Sequence, residues 1–288
     1  MKKETDNLQK NPLIGRLCMV LLLLAGTAIC VSAVLGINRI AEEQKKKQIA
    51  ARRGDVEILV LGDSIWDLER GETGIAALLE KDLENVTVYN CAVKGSRAAK
   101  DEYGLCAMAE HIAGRSRIDF PGDMQAAKVL EKIDLSNVDY IFISYGLNDY
   151  FGAVKRKNPD DCYDMATYEG ALCSSIELLR ESCPGAEFVI LSPTYCQGYS
   201  YGQVIHESTT WDYGGGTGAD YAASAKRNAE AYGYPYIDLY GELGISIHNG
   251  AEYLEDATHL TEKGRRAYAE ILAAHLVRQW QESGSTNA

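Results

Sequence analysis

The stretch "ILVLGDSIW" at residues 58–66 decides the fold class of this chain. Its apolar run, Ile58 to Leu61, stops at once at a small, polar tripeptide that ends in Ser64. A run this continuously apolar is typical of a strand in a parallel sheet that is covered on both faces. The tripeptide is either a plain turn or a means of holding the hydroxyl of Ser64 where a substrate can reach it.

Further runs rich in β-branched and aromatic residues follow, separated by stretches with helical spacing. With the first run, strands are predicted at 56–61, 86–93, 138–145, 187–192 and 234–239. Helices are predicted at roughly 72–83, 98–112, 123–133, 164–182, 219–231 and 261–281. This alternation indicates an α/β sandwich with a five-stranded parallel sheet. Ligands of such sheets bind beyond the carboxyl ends of the strands, so the residues that follow each strand matter most.

Small and polar residues follow the predicted strands. They are Gly62-Asp63-Ser64, Lys94-Gly95-Ser96, Gly146-Leu147-Asn148-Asp149 and, after the fifth strand, Asp256-Ala257-Thr258-His259. The chain has five histidines, and only His259 has a carboxylate three residues before it. A lone histidine before a helix is more often a cap or a surface residue, so His259 gains meaning only from its companions.

Together, these residue types provide the chemistry of acyl transfer. A serine hydroxyl such as that of Ser64 is a poor nucleophile until a base takes its proton, which the imidazole of His259 can do near neutral pH. The carboxylate of Asp256 can fix the tautomer of that ring and stabilise its charged form. Backbone N–H groups of Ser64 and Gly95, with the amide of Asn148, can stabilise a developing oxyanion.

The order of the four blocks resembles that of the SGNH (GDSL-type) hydrolases over about residues 55–280. The resemblance implies a three-layer α/β/α sandwich and a serine esterase or lipase-like enzyme. It also implies the roles of five residues: Ser64 as nucleophile, His259 as base, Asp256 as the residue that orients it, and Ser64, Gly95 and Asn148 as the oxyanion hole. The first block reads GDSI rather than GDSL, an apolar exchange of little consequence. No G-x-S-x-G elbow occurs, which argues against the separate α/β-hydrolase fold.

The segment 195–221 is the longest stretch predicted to be irregular, and it is rich in tyrosine. Long loops in compact domains are often functional, so the segment could overhang Ser64, although a merely solvated loop is about equally expected. Aromatic rings with polar tips suit sugar rings. The candidate substrate-binding residues are Asp63, Tyr195, His206 and Trp211. For Asp63, as for Asp149, the simpler interpretation is a loop residue that accepts backbone N–H bonds.

The N-terminal region differs from the rest in charge and hydropathy. Residues 1–53 carry ten basic and four acidic residues, whereas the remainder carries nineteen and thirty-seven, so its net charge is −18. Such an acidic body argues against nucleic-acid binding. Residues 17–37 contain no charge and are long enough to cross a bilayer as a helix. The predicted organisation is a basic tail (1–16), a transmembrane anchor or signal segment (17–37), a charged helical stalk (38–53) and a catalytic domain (54–288).

The expected location is the membrane, with the catalytic domain outside the cytoplasm. The small residues Val31-Ser32-Ala33 permit signal cleavage after Ala33, which would release the protein, although the apolar run continues beyond them. Basic residues flank the span on both sides with a slight excess after it, which opposes export. A single N-terminal span before a large body usually serves export, and this favours the outside location.

The functional hypothesis is a serine esterase that hydrolyses an acyl ester, expected to be acetyl, on a carbohydrate or cell-envelope substrate. The alternatives are an O-acyltransferase that uses the same serine, a lysophospholipase or thioesterase, and a glycan-binding protein without activity. The chemistry needs no metal or other cofactor, and neither H-E-x-x-H nor G-x-x-x-x-G-K occurs. The expected partners are an ester substrate and the membrane, through residues 17–37.

Overall fold

The computed structural model describes residues 54–201 and 203–285. The predicted tail, membrane segment, stalk and cleavage site, all within residues 1–53, lie outside the described residues. Among the helices of the described part, none combines the length and the apolar character that crossing a membrane requires.

Five parallel strands form the main sheet. They are β1 (Val56–Gly62), β2 (Val86–Asn90), β3 (Tyr140–Ser144), β4 (Glu187–Leu191) and β7 (Tyr236–Ile237). Their order is β2-β1-β3-β4-β7. The predicted α/β fold with a five-stranded parallel sheet is therefore confirmed. Central strands β1 and β3 are almost wholly buried, which explains their unbroken apolar sequences.

The outer strands are shorter than their sequences suggest. The predicted run 86–93 is a strand only to Asn90, although the N–H groups of Cys91 and Val93 still donate to β1. The edge strand β7 has two residues because Asp238 directly after it caps a helix, accepting a hydrogen bond from the N–H of Gly241. β-Branched composition alone therefore overestimates strand length where a helix cap follows.

Ten α-helices lie in the described part of the chain. They are α1 (Ser64–Asp67), α2 (Ile75–Asp82), α3 (Leu105–Ile112), α4 (Gln125–Leu130), α5 (Leu147–Phe151), α6 (Tyr168–Ser182), α7 (Gly218–Tyr232), α8 (Leu239–Glu242), α9 (Gly250–Tyr253) and α10 (Glu262–Ser285). Helix α2 packs on α10, whereas α6 packs on both α3 and α7. The helices therefore form two separate packing groups, as expected when one layer of helices covers each face of the sheet.

Two local expectations were wrong. The helix predicted from 98 begins only at Leu105, because the chain from 97 to 104 turns back so that the N–H of Leu105 bonds the carbonyl of Arg97 at 2.9 Å. The segment 195–221 is not wholly irregular, since it contains an antiparallel hairpin of β5 (Gln197–Ser200) and β6 (Gln203–Glu207). A bulge between Gly198 and Tyr199 interrupts the alternation that would have indicated strands.

Candidate active site

Ser64 is the first residue of α1 and follows the end of β1 after a single residue, Asp63. Asp63, between strand and helix, has extended backbone and acts as the N-cap, its Oδ1 accepting a hydrogen bond from the N–H of Ile65 at 3.0 Å. An aspartate at this position satisfies a helix N–H that would otherwise lack a partner. The sequence Gly-Asp-Ser is therefore a strand-to-helix turn that presents Ser64 at the carboxyl edge of the sheet.

A buried network fixes the helix that carries Ser64. The indole N–H of Trp66 lies 3.1 Å from both Ser144 Oγ and the hydroxyl of Tyr268, and these two oxygens are 3.2 Å apart. Ser144 is the last residue of β3 and Tyr268 lies on α10. The network thus joins α1 to the central strand and to the helix that follows His259.

His259 lies between Ser64 and Asp256. Its Nε2 is 3.0 Å from Ser64 Oγ, and its Nδ1 is 2.7 Å from Asp256 Oδ2. The other oxygen of Asp256 accepts the N–H groups of Thr258 and His259, both at 2.7 Å. One carboxylate therefore both orders its own loop and orients the ring, which the three-residue spacing allows. The structure brings together side chains that are 195 residues apart in sequence.

The loop that carries Asp256 and His259 is closed at its base. Leu254 and Leu260 form an isolated antiparallel bridge. Arg265 donates to the carbonyl of Leu260 and, through Nε, to the carbonyl of Thr73 at 2.9 Å. The loop that carries Asp256 and His259 is therefore held to a second loop, and the position of the His259 ring does not depend on Asp256 alone.

The predicted oxyanion-hole residues lie on two loops that are bonded to each other. Asn148 on α5 donates one amide N–H to the carbonyl of Ser96 at 2.9 Å. An asparagine amide has two N–H bonds, so one remains for a ligand. Gly95 is exposed and has a φ of +78°, a conformation that favours glycine. Asp149 joins the two loops further by accepting the N–H groups of Ala98 at 2.8 Å and Ala99 at 2.9 Å.

The predicted substrate-binding residues have different positions. Asp63 and Tyr195 are only 2% and 1% exposed, and the hydroxyl of Tyr195 donates to Glu207 at 2.7 Å. This burial argues against substrate contact, because each side chain already has protein partners. Trp211 is 46% exposed and stacks on His206 with ring centroids 4.6 Å apart.

A small cleft of about 90 Å³ opens beside Ser64 and His259. Its other lining residues are Ile65, Leu68, Glu69, Glu255, Leu260 and Arg265. Tyr195, His206 and Trp211 are not in this lining. Sequence reasoning missed all six other residues. Leu68 follows Ser64 by four positions, a spacing that places both on one face of a helix, and this signal could have identified it.

The sequence pattern of the GDSL-like lipase/acylhydrolase family matches residues 60–267, from β1 into α10. That match covers most of the chain and includes all four sequence blocks. The chain belongs to the GDSL-like lipase/acylhydrolase family. It is accordingly an ester-hydrolysing enzyme. No curated protein matches the sequence significantly.

Several solved structures share the fold of this GDSL-like acylhydrolase. A possible lipase from Chitinophaga pinensis has 17% identity and a TM-score of 0.57, covering 78% of this chain and 98% of that one. A protein from Lactobacillus plantarum has 23% identity and a TM-score of 0.56, covering 77% and 97%. An acetyl xylan esterase, AlAXEase, has 18% identity and a TM-score of 0.52, covering 76% and 99%. At these identities the likeness establishes the fold alone.

The carboxylate of Asp256 stays ionised at neutral pH. Partial burial raises its pKa, but hydrogen bonds from the ring and backbone of His259 and from the backbone of Thr258 outweigh this, and the pKa lies below its ordinary value of 3.8. An ionised acceptor at this position favours the N–H tautomer at Nδ1 of the ring and leaves Nε2 free to accept a proton. Ser64 Oγ–H is the adjacent donor.

Two buried carboxyl groups lie next to the catalytic candidates of this acylhydrolase. Burial raises the pKa of Asp63 to about 7, and the nearby Asp149 carboxylate adds to this, although the N–H of Ile65 opposes it. Burial likewise raises the pKa of Asp149 to about 6, although the hydrogen bonds that it accepts from the backbone N–H groups of Ala99 and Ala98 lower it. Both groups titrate near neutrality and are coupled to the loops that hold Ser64 and Asn148.

We expect Asp63→Asn to gain stability relative to the parent as pH rises from about 4 to 7. In this window the unfolded aspartate is ionised while the folded one, with a pKa of about 7, holds its proton, so the parent loses unfolding free energy with rising pH. Asparagine cannot ionise and keeps the oxygen that accepts from Ile65. The difference should reach at most about 4 kcal/mol and level off above pH 7. Urea denaturation at pH 4.5, 6 and 8 measures it.

Asp212→Asn provides the control of opposite sign. Bonds from the N–H groups of Gly214 and Gly216 lower the pKa of Asp212, so its loss should weaken the protein above pH 4 rather than strengthen it. A pH-independent difference between Asp63→Asn and the parent would contradict the raised pKa.

Proposed function

We propose that this acylhydrolase is a serine esterase that removes a short acyl group from a hydroxyl of a carbohydrate, through an acyl-enzyme on Ser64. The observation that carries the proposal is the continuous contact from Ser64 Oγ through the ring of His259 to Asp256, at 3.0 and 2.7 Å. These are hydrogen-bond distances for a nucleophile, its base and the group that orients the base.

In the first half-reaction, Ser64 Oγ attacks the ester carbonyl as its proton moves to His259 Nε2. The carbonyl oxygen becomes an oxyanion, which the free N–H of Asn148 and the backbone N–H groups of Ser64 and Gly95 can stabilise. The tetrahedral intermediate then breaks its bond to the alcohol oxygen. The proton on Nε2 passes to that oxygen, and the alcohol leaves.

In the second half-reaction, water attacks the acyl-enzyme. His259 Nε2 takes one proton from the water as its oxygen bonds the acyl carbon, and returns that proton to Ser64 Oγ as the acyl–serine bond breaks. The products are a carboxylic acid and the free enzyme. Asp256 remains ionised throughout and stabilises the imidazolium in each half-reaction.

The size of the cleft beside Ser64 supports a short acyl group. A volume of about 90 Å³ corresponds to roughly three water molecules. Its walls combine apolar side chains, such as Leu68 and Leu260, with the carboxylates of Glu69 and Glu255. An acetyl group fits this space, whereas a long acyl chain would have to extend beyond it. The fold likeness to an acetyl xylan esterase agrees with this size.

The full-length protein in detergent should hydrolyse p-nitrophenyl acetate with a kcat/KM at least about tenfold higher than that for p-nitrophenyl octanoate, because methylenes that the cleft cannot hold hinder the approach of the ester carbonyl to Ser64. Release of p-nitrophenol measures both rates, and butyrate should lie between them. Leu68→Ala, which shortens a wall of the cleft, should narrow the ratio. Faster hydrolysis of the octanoate would instead favour a lysophospholipase or thioesterase, and no hydrolysis of any ester would contradict the proposal.

We also propose that the catalytic domain lies outside the cytoplasm, attached through residues 17–37. The uncharged, apolar sequence of this segment supports the proposal. Alkaline phosphatase is active only outside the cytoplasm. When it is fused after residue 53 and produced in a bacterial host, it should therefore be active. A matched fusion to a cytoplasmic reporter should be inactive, and the reverse result would contradict the proposed orientation.

A further inference from the structure

Three exposed aromatic side chains lie next to one another outside the cleft. Phe151, Tyr213 and Trp211 are 37%, 40% and 46% exposed. The ring of Tyr213 lies 5.8 Å from that of Phe151 and 6.3 Å from that of Trp211, centroid to centroid. Exposed apolar residues are common singly, but contiguous ones mark an interaction site. We call this set the aromatic strip.

The aromatic strip is held in place by its surroundings. The hydroxyl of Tyr150 donates to the carbonyl of Trp211 at 3.0 Å, and one oxygen of Asp212 accepts the N–H groups of Gly214 and Gly216 at 2.6 and 2.8 Å. His206 stacks on one face of the Trp211 indole with an interplanar angle of 11°. The indole is nevertheless 46% exposed, so part of it remains accessible to a ligand. Rigid, preorganised rings lose little conformational entropy when they bind.

Two elements of the fold connect the aromatic strip to the candidate active site. Phe151 follows Asn148 by three residues on α5, so the two side chains are neighbours on that helix. The hairpin that leads to Trp211 begins at Gln197, whose N–H donates to the carbonyl of Ala257 at 2.8 Å, inside the loop of Asp256 and His259. The chain from Gln197 to Tyr213 thus connects the loop of Asp256 and His259 to α5, which carries Asn148.

We infer that the aromatic strip is a binding site for sugar rings of a neutral oligosaccharide whose acyl ester is cleaved at Ser64. Aromatic faces pack on the C–H faces of pyranose rings, while the indole N–H and the tyrosine hydroxyl can bond their hydroxyls. The net charge of −18 on residues 54–288 disfavours an anionic polymer. A cleft of about 90 Å³ beside Ser64 buries little of a long acyl chain, so the acyl side of the substrate does not account for the exposed rings. The inference rests on the proposed function, since it names the alcohol side of that substrate.

Binding can be measured without catalysis in full-length Ser64→Ala. The chain has three tryptophans, all within the described residues, and Trp66 and Trp280 are 1% and 6% exposed. Intrinsic fluorescence that changes on binding therefore reports on Trp211. Titration with xylohexaose, cellohexaose and chitohexaose should give a saturable change for at least one of them, whereas oligogalacturonate should give none.

Removing another ring of the strip should weaken that binding. Phe151→Ala and Tyr213→Ala, each in the Ser64→Ala background, should raise the dissociation constant at least about fivefold. Tyr163→Ala is the matched control, because Tyr163 is also exposed, at 48%, but makes no ring contact with the strip in the described structure. It should leave the dissociation constant unchanged.

The outcomes separate this inference from the proposed function. If the parent hydrolyses p-nitrophenyl acetate but no hexasaccharide changes the fluorescence, the sugar-binding role of the aromatic strip would be overturned and the esterase proposal would stand. Saturable binding of a hexasaccharide with no hydrolysis of any ester would support the sugar-binding role of the aromatic strip and overturn the esterase proposal. A response to oligogalacturonate or to lysophosphatidylcholine micelles, but not to neutral sugars, would also overturn the inference.

Discussion

Ser64→Ala is expected to lower kcat/KM for p-nitrophenyl acetate by roughly 10⁴- to 10⁶-fold, the range seen when a Ser-His-Asp triad loses its nucleophile. Alanine lacks the hydroxyl oxygen that lies 3.0 Å from His259 Nε2, so no acyl-enzyme can form. The remaining rate reflects water attacking an ester bound near the oxyanion donors. Single-turnover release of p-nitrophenol, with active sites counted from a burst in the parent, measures the loss.

Ser96→Ala is the matched control. Ser96 also follows a strand, but its hydroxyl donates to the carbonyl of Val93 at 2.6 Å. Its carbonyl, which accepts from Asn148, is unaffected by the substitution. The control should lose less than about tenfold in activity. If Ser64→Ala retained activity within tenfold of the parent while keeping its thermal unfolding midpoint, Ser64 would not be the nucleophile.

Asp256→Asn is expected to lower kcat by roughly 10³- to 10⁴-fold. Asparagine retains an oxygen that can accept the N–H groups of Thr258 and His259, so the loop is kept. The change removes the charge that stabilises the imidazolium, and an amide N–H facing Nδ1 favours the tautomer with the proton on Nε2. The ring then no longer accepts the serine proton. Steady-state kinetics at pH 7 to 8 measures the effect.

Asp256→Ala separates the two roles of this carboxylate. This substitution removes the charge and also the acceptor for the loop N–H groups. The variant should therefore have a lower free energy of unfolding than Asp256→Asn. If Asp256→Asn matched the parent in kcat, the contact of 2.7 Å between Nδ1 and Oδ2 would be structural only. The catalytic proposal for Asp256 would then fail, while that for Ser64 would stand.

Local sequence was sufficient to predict the elements that position the site. The apolar run before Ser64 indicated a strand buried on both faces, because such a strand has no polar face to present to water. The three-residue spacing of Asp256 and His259 indicated a carboxylate folded back on its ring. Both features depend on neighbouring residues, and local chemistry determines them.

Other features were not predictable because they depend on partners distant in sequence. Nothing local shows that Tyr195 is buried against Glu207, since tyrosine is common both in cores and at surfaces. The hairpin within 195–221 was missed because its bulge breaks the alternation that indicates strands. Arg265 was missed because its role is to bond backbone carbonyls, which leaves no signature in residue types.

By itself the sequence determined the α/β class and the residue types available for acyl transfer after the strands, because periodicity and short spacings are local properties. Only the tertiary structure decided which of those residues meet. It brought the imidazole of His259 to the hydroxyl of Ser64 and set the size of the cleft beside them. It also placed the exposed rings of Phe151, Tyr213 and Trp211 next to one another. These arrangements follow from how strands and helices pack, which joins residues from separate parts of the chain.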